Sequence, residues 1–131
     1  MLWRAILFFS MLVPVSAYGG GGKAPTDRDL DQMADILTSN ETLKVLKKVC
    51  DTKFPQYSER NEQAYRNSPY SRISSEQALE LFVEPNRRAS LLRSLEDAKR
   101  STTEDLQRAT EEVLDQYCVN FPYTVIRIGT W

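Results

Sequence analysis

The chain has 131 residues, a formal net charge of −1 and no histidine. This length is typical of a single domain. Basic and acidic residues are interleaved, without the concentrated basic face that is typical of nucleic-acid-binding proteins. The absence of histidine excludes the Ser-His-Asp and Cys-His catalytic arrangements and the common histidine metal sites, and no glycine-rich phosphate loop is present. We therefore expect no nucleic-acid partner, no metal and no cofactor.

The first 17 residues have the composition of a secretory signal peptide. One positive charge at Arg4 precedes an apolar run over 5–13, and residues 15–17 (Val-Ser-Ala) form the small-residue pattern that a signal peptidase cuts. The run is shorter than the roughly 20 apolar residues that a membrane-spanning helix needs, so an uncut membrane anchor is the less favoured alternative. The sequence thus predicts a secreted or periplasmic protein, without stable membrane insertion once the signal peptide is removed.

The rest of the chain divides into a short lead and one domain. Residues 18–25 (YGGGGKAP) contain four consecutive glycines, which lose the most backbone entropy on ordering and have no side chain to bury. We expect these residues to form a flexible Gly-rich lead. Residues 26–131 then form a single helical domain.

Apolar residues recur at helical spacing through almost the whole domain. This pattern predicts an all-α fold, a small helical bundle of four to six helices. Thr26 and Asp29 have capping-box spacing and mark the start of the first helix. Residues 38–41 (TSNE) repeat that spacing and predict a break followed by a new helix start. Pro55 marks the end of this helical stretch.

Two further helical stretches follow. Ser74 and Gln77 predict a helix start, and Pro85 predicts the end of that helix. From 87 to 118 the apolar residues keep one phase, and no glycine or proline forces a break. We therefore favour one continuous helix over this range, and two helices separated at 100–105 are the alternative.

Residues 121–131 (FPYTVIRIGTW) change in character. Alternating β-branched residues over 124–128 predict a short extended C-terminal tail. Such a tail would pack across the bundle or add as a strand to the sheet of a partner. Its aromatic side chains are the candidate partner contacts: Phe121, Tyr123 and Trp131.

The two cysteines of the chain lie in two similar phrases. The first phrase is VLKKVC (45–50) and the second phrase is VLDQYC (113–118), and Phe-Pro follows each within a few residues. An even cysteine count in an exported protein favours a disulfide, here Cys50–Cys118. The bond would bring the two following phenylalanines into one cluster at the end of the bundle. A bond between two copies of the chain is the alternative. A redox pair lacks the Cys-x-x-Cys spacing, and a zinc site lacks ligands.

Asn40 begins an Asn-Glu-Thr tripeptide. In a eukaryotic host this tripeptide is a candidate N-glycosylation site if it is exposed. Asn40 could instead simply lie at a helix start.

These features predict a small exported helical domain that binds a partner protein, as an inhibitor, an immunity-type partner or an extracellular factor. A second hypothesis is a carrier of a small apolar ligand between helices. A third is a carboxylate-based hydrolase, which requires two converging acids with at least one raised pKa; nothing in the sequence selects such a pair. The carrier would need an apolar cavity lined by the helical stripes, at Leu79, Phe82, Leu92, Leu106 and Val113.

Overall fold

The computed structural model describes residues 24–128, with side chains through Ile126. The predicted signal peptide, most of the predicted Gly-rich lead and Trp131 lie outside the described residues.

The described chain forms six α-helices and two short 3₁₀ turns, which confirms the all-α fold. In chain order the elements are α1 (Asp27–Lys53), a 3₁₀ turn (Pro55–Tyr57), α2 (Ser58–Arg66), a second 3₁₀ turn (Pro69–Arg72), α3 (Ser75–Leu79), α4 (Pro85–Arg108), α5 (Glu111–Val119) and α6 (Phe121–Ile128). None of the helices between residues 24 and 128 has the length and apolar character needed to cross a membrane.

The two long helices, α1 and α4, pack side by side and run in the same direction. Arg87 pairs with Asp27 near the start of both helices, and the hydroxyl of Thr102 contacts that of Thr42 further along. Both contacts join residues 60 positions apart in sequence, so the pairing keeps its register. Because a 27-residue helix is about 40 Å long, the segment between α1 and α4 must return the chain over that distance.

Helix α2 provides the first part of this return. It runs antiparallel to α1, since Glu62 pairs with Lys47 near the end of α1 and the Tyr65 hydroxyl donates to Asn40 Oδ1 near its middle, at 2.7 Å. The second 3₁₀ turn and α3 complete the return.

The buried apolar side chains form two clusters along α1. The disulfide-end cluster gathers residues from α1 and the position after it, the second 3₁₀ turn, α4, α5 and α6: Ile36, Leu43, Leu46, Cys50, Phe54, Tyr70, Leu106, Leu114, Cys118, Phe121 and Val125. The smaller α3-end cluster contains Met33, Leu37, Ala78, Phe82 and Leu91.

The break predicted at residues 38–41 is wrong, because α1 continues through them. The Thr38 hydroxyl donates back to the Ala34 carbonyl at 2.8 Å instead of capping a new helix. Asn40, two residues later, is buried and held by Tyr65. Tertiary burial therefore outweighs the local capping signal, and no glycine or proline opposes the helix here.

The continuous helix predicted over 87–118 is also wrong, as is the alternative break at 100–105. Helix α4 runs through 100–105 and ends at Arg108. Ala109 is extended, and the Thr110 side chain accepts the Val113 N–H at 3.2 Å as the N-cap of α5. Two acidic residues follow in the first turn of α5, where they interact favourably with the helix dipole.

Pro85 begins α4 rather than ending the preceding helix. It occupies the first turn of α4, where its missing N–H costs no hydrogen bond. The Glu84 carboxylate caps this turn by accepting the N–H groups of Asn86 and Arg87, at 3.1 and 2.7 Å. Helix α3 has already ended at Leu79.

The prediction of an extended C-terminal tail is wrong over the described residues, since residues 121–128 form α6. Phe121 and Val125 are one helical turn apart and both are buried, whereas Tyr123 and Ile126 face solvent. The β-branched residues alternate as in a strand, but the i, i+4 pair that reaches the core determines the helix.

Candidate functional site

The disulfide Cys50–Cys118 is present within one chain. It joins the end of α1 to the end of α5 across a sequence separation of 68, and both cysteines are fully buried. Phe54 and Phe121 lie with the cysteines in the disulfide-end cluster. The two phrases are thus two helix ends that are joined covalently, as the sequence predicted.

Polar contacts from α2 and the turn before it hold the end of α5 in place. Asn61 is fully buried, and its side-chain amide donates to the Cys118 carbonyl at 3.1 Å. Arg60 donates to the Val119 carbonyl at 2.7 Å, so a cation meets the negative end of the α5 dipole. The Tyr57 hydroxyl donates to Asp115 Oδ1 at 2.9 Å. These contacts fix the orientation of α5.

The same α2 surface contacts the first phrase through Lys47. This ammonium group pairs with Asp51 at 2.7 Å and with Glu62. Burial lowers the pKa of Lys47, but the hydrogen bonds to the two carboxylates together raise that pKa above its ordinary value. The hydrogen bond from Lys47 lowers the pKa of Glu62. Both groups therefore keep their charges at neutral pH.

The tyrosine side chains of this region favour their protonated form. The hydrogen bond to Asp115 raises the pKa of Tyr57. Burial raises the pKa of Tyr65 and of Tyr70. All three phenols are thus neutral at physiological pH.

A groove of about 570 Å³ lies beside the disulfide end, between α1, α4, α5 and α6. Its floor is formed by Leu46 and Leu106, which belong to the core cluster. Tyr117 and Tyr123 stand on its walls with 50% and 72% of their surface exposed. We call this feature the tyrosine groove; its lining residues are Thr42, Leu46, Thr102, Asp105, Leu106, Tyr117, Asn120, Tyr123 and Thr124.

The disulfide lies next to two of the residues that line the tyrosine groove. Tyr117 is the residue before Cys118, and Leu46 lies one helical turn before Cys50. The wall that carries Tyr117 and part of the floor are therefore held beside a covalent link between α1 and α5.

The structure places the predicted site residues in different environments. Asn40 is 1% exposed and bonded to Tyr65 in the middle of α1, so the folded domain has no room for a glycan at this residue. Phe121 is fully buried, which removes it from the surface that a partner could reach. Tyr123 lies on the tyrosine groove, and Trp131 lies outside the described residues.

The residues predicted to line a carrier cavity do not meet. Phe82 belongs to the α3-end cluster and Leu106 to the disulfide-end cluster, whereas Leu92 and Val113 are exposed. Leu79 packs at the edge of the α3-end cluster. Within residues 24–128, no group of three or more Cys, Asp or Glu side chains could hold a metal ion.

Sequence reasoning identified Tyr123 but missed Tyr117. The helical spacing of apolar residues over 87–118 placed Tyr117 on the apolar face of the long predicted helix, which we expected to be buried. Helix α4 ends at Arg108 and α5 starts anew after Thr110, so that Leu114 and Cys118 are buried while Tyr117 is half exposed. A comparison of the two phrases could have indicated that Tyr117 is special. Val49 of the first phrase and Tyr117 of the second are equivalent apolar positions, and they differ most in chemistry.

The chain matches no known protein family, no curated protein and no solved structure. The function of the tyrosine groove therefore has to be inferred from the chemistry of its lining residues.

Proposed function

We propose that this protein is an exported binding domain that captures a partner protein through the tyrosine groove. The observation that carries this proposal is the exposure of Tyr117 and Tyr123 on a groove that lies beside the disulfide. Tyrosine is enriched among the residues that dominate binding energy at protein interfaces, because its ring buries a large area while its hydroxyl forms a hydrogen bond.

The rigidity of the groove supports the same function. The disulfide and the contacts of α2 with the end of α5 hold the Tyr117 wall against α1 before any partner arrives. A preordered surface loses little conformational entropy on binding, so more of the contact energy contributes to affinity.

Export is supported by the disulfide together with the signal-like first 17 residues. Structural disulfides form and persist in oxidising compartments, such as the periplasm and the extracellular space, and are rare in the cytosol. A single disulfide that closes a loop of this length fits a small domain that works outside the cytosol.

Affinity enrichment with matched surface variants tests this function. The protein would be exported by its own host and then used as bait against the secreted or periplasmic fraction of that host. The bait would be compared with the double variant Tyr117→Ser/Tyr123→Ser and with the control Val83→Ser. Val83 is 85% exposed in the segment between α3 and α4, so this control removes an apolar side chain that is more exposed than either tyrosine and lies away from the groove.

We expect a protein that binds the wild type and the Val83→Ser variant in a defined stoichiometry and that is lost from the double variant. Thermal unfolding of all three baits would confirm that they are folded. A partner that is retained by the double variant would contradict the assignment of the groove.

A further inference from the structure

We infer that the tyrosine groove accepts an extended, proline-rich segment of the partner that carries a basic residue. This inference rests on the proposed function and adds the chemistry of the partner. It follows from the lining of the groove, which suits one of the recurring modes of peptide recognition better than the others.

The lining argues against an amphipathic helix as the occupant. Such helices insert an apolar face into an apolar groove. Here Leu46 and Leu106 are already mostly buried, and each of the other seven lining residues carries a hydroxyl, amide or carboxylate group. The hydroxyls of Thr42 and Thr124 already donate to nearby backbone carbonyls. An apolar helix face would still cover the two tyrosine hydroxyls and the Asn120 amide without satisfying their hydrogen bonds, which costs free energy.

Two other modes of peptide recognition do not fit, because the described residues lack the features that they require. Strand addition needs the exposed edge of a sheet, and residues 24–128 contain no strand. Recognition of phosphorylated or acidic segments needs a cluster of arginines. The charged residue that lines the groove is Asp105, which would repel an acidic segment.

A polyproline II segment matches both the rings and the donors of the groove. Proline-rich segments dock on aromatic side chains, and their helix has no internal hydrogen bonds, so its carbonyl groups remain available as acceptors. Tyr117 and Tyr123 supply two exposed rings with hydroxyl donors. The Asn120 side-chain amide adds further donors, and it has no hydrogen-bond partner within the described residues.

Asp105 defines the charge that the segment should carry. It pairs with Arg108 at 2.8 Å, but both side chains are about two-thirds or more exposed. An exposed ion pair of this kind contributes little to stability, so a lysine or arginine of the partner can replace Arg108. The groove should therefore prefer a basic residue beside the prolines and disfavour an acidic one.

Fluorescence anisotropy with synthetic peptides tests this inference. The probe is a labelled peptide of repeated Pro-Pro-Ala units that ends in arginine. Two control peptides replace every proline by alanine, or the arginine by glutamate. Each peptide is titrated with the exported wild-type protein and with the Tyr117→Ser/Tyr123→Ser, Asp105→Asn and Val83→Ser variants. Amide chemical shifts of the wild type locate the bound probe.

We expect saturable binding of the arginine probe, with shifts confined to the groove. The alanine peptide and the tyrosine double variant should each weaken binding at least about tenfold. Asp105→Asn should weaken binding of the arginine probe about threefold and remove the preference over the glutamate peptide. Val83→Ser should leave the affinity unchanged.

Four results would overturn the inference. The first is equal binding of the alanine peptide. The second is probe binding that survives loss of both tyrosines. The third is self-association of the wild type that the double variant abolishes, since a second copy would then occupy the groove. Absence of probe binding, beside a protein partner whose capture requires the tyrosines, would refute the proline-rich segment and leave the proposed function intact.

Discussion

The two phrases that end in Cys50 and Cys118 share a pattern and differ in what surrounds them. Leu46 and Leu114 are both buried, and both cysteines are fully buried. The carbonyl of Cys50 is satisfied locally, by the Phe54 N–H at 2.8 Å. The carbonyl of Cys118 accepts the local Asn120 N–H and, in addition, the side-chain amide of Asn61 in α2. The second helix end therefore has a side-chain donor from a neighbouring helix beside its local backbone contact.

The positions at which the two phrases differ make different contacts in the fold. Lys47 and Asp115 are equivalent and opposite in charge, yet both contact the segment 57–62, through Glu62 and Tyr57 respectively. Val49 packs against the disulfide-end cluster, whereas its equivalent Tyr117 faces the groove. The shared leucine and cysteine positions lie in the core, and the position before the second cysteine lines the groove that we propose as the binding surface.

Truncation of the phenylalanine that follows each phrase should have the largest effect. Phe121→Ala removes a fully buried ring, so we expect a loss of about 3–5 kcal/mol in the free energy of unfolding. Phe54→Ala should cost somewhat less, because Phe54 keeps slight solvent contact at the end of α1. Urea denaturation measures both values. A larger loss for Phe54→Ala would contradict this ranking.

Loss of the disulfide between the two phrases should have the second-largest effect on stability. Cys50→Ala/Cys118→Ala releases a loop closed across 68 positions, for which chain entropy gives about 4 kcal/mol of lost stability, with smaller values common in practice. Chemical denaturation of the variant and of the reduced wild type should agree. A loss below about 1 kcal/mol would mean that the α2 contacts alone hold the two helix ends together.

The dependence of the second phrase on α2 can be tested at Asn61. Asn61→Ala leaves the Cys118 carbonyl without its buried amide donor, and we expect a loss of about 1–3 kcal/mol. The control Arg66→Ala removes an exposed residue of the same helix that pairs with Glu62, and its effect should stay within about 0.5 kcal/mol. Equal effects of the two substitutions, measured by urea denaturation, would argue against a specific role for Asn61.

Alkaline pH should destabilise the fold through its tyrosines. The pKa values of Tyr57, Tyr65 and Tyr70 are raised in the folded state, so their contribution is complete below the ordinary tyrosine pKa of about 10 and is lost as the pH rises through the folded values. We expect the free energy of unfolding to fall above about pH 10. Tyr57→Phe, which cannot ionise beside Asp115, should reduce that fall; an unchanged pH profile would contradict the role of this hydrogen bond.

The smallest effect on stability should come from making the two phrases alike. Tyr117→Val places in the second phrase the residue that the first phrase has. Because Tyr117 is half exposed, the free energy of unfolding should change by no more than about 0.5 kcal/mol. Partner capture should nevertheless be lost. A large loss of stability would show that Tyr117 serves the core instead of the binding surface.

Local capping signals predicted two helix starts correctly and one wrongly. Thr26 caps α1 with Asp29, and Ser74 accepts the Gln77 N–H at the start of α3. Residues 38–41 contain the same spacing inside a continuous helix. The difference is tertiary, because Asn40 in that segment is buried against Tyr65, and its burial requires α1 to continue.

The sequence by itself determined the all-α class and favoured the Cys50–Cys118 bond with the convergence of Phe54 and Phe121, because helical periodicity, an even cysteine count and proline stops can be read from the chain. Only the tertiary structure decided the break at Thr110, the helix at 121–128 and the exposure of Tyr117. Each of these depends on which face of a short helix reaches the core, and that choice is made by contacts with residues far away in the sequence. The tyrosine groove is a product of those contacts, which is why its two walls could not be predicted together from the sequence.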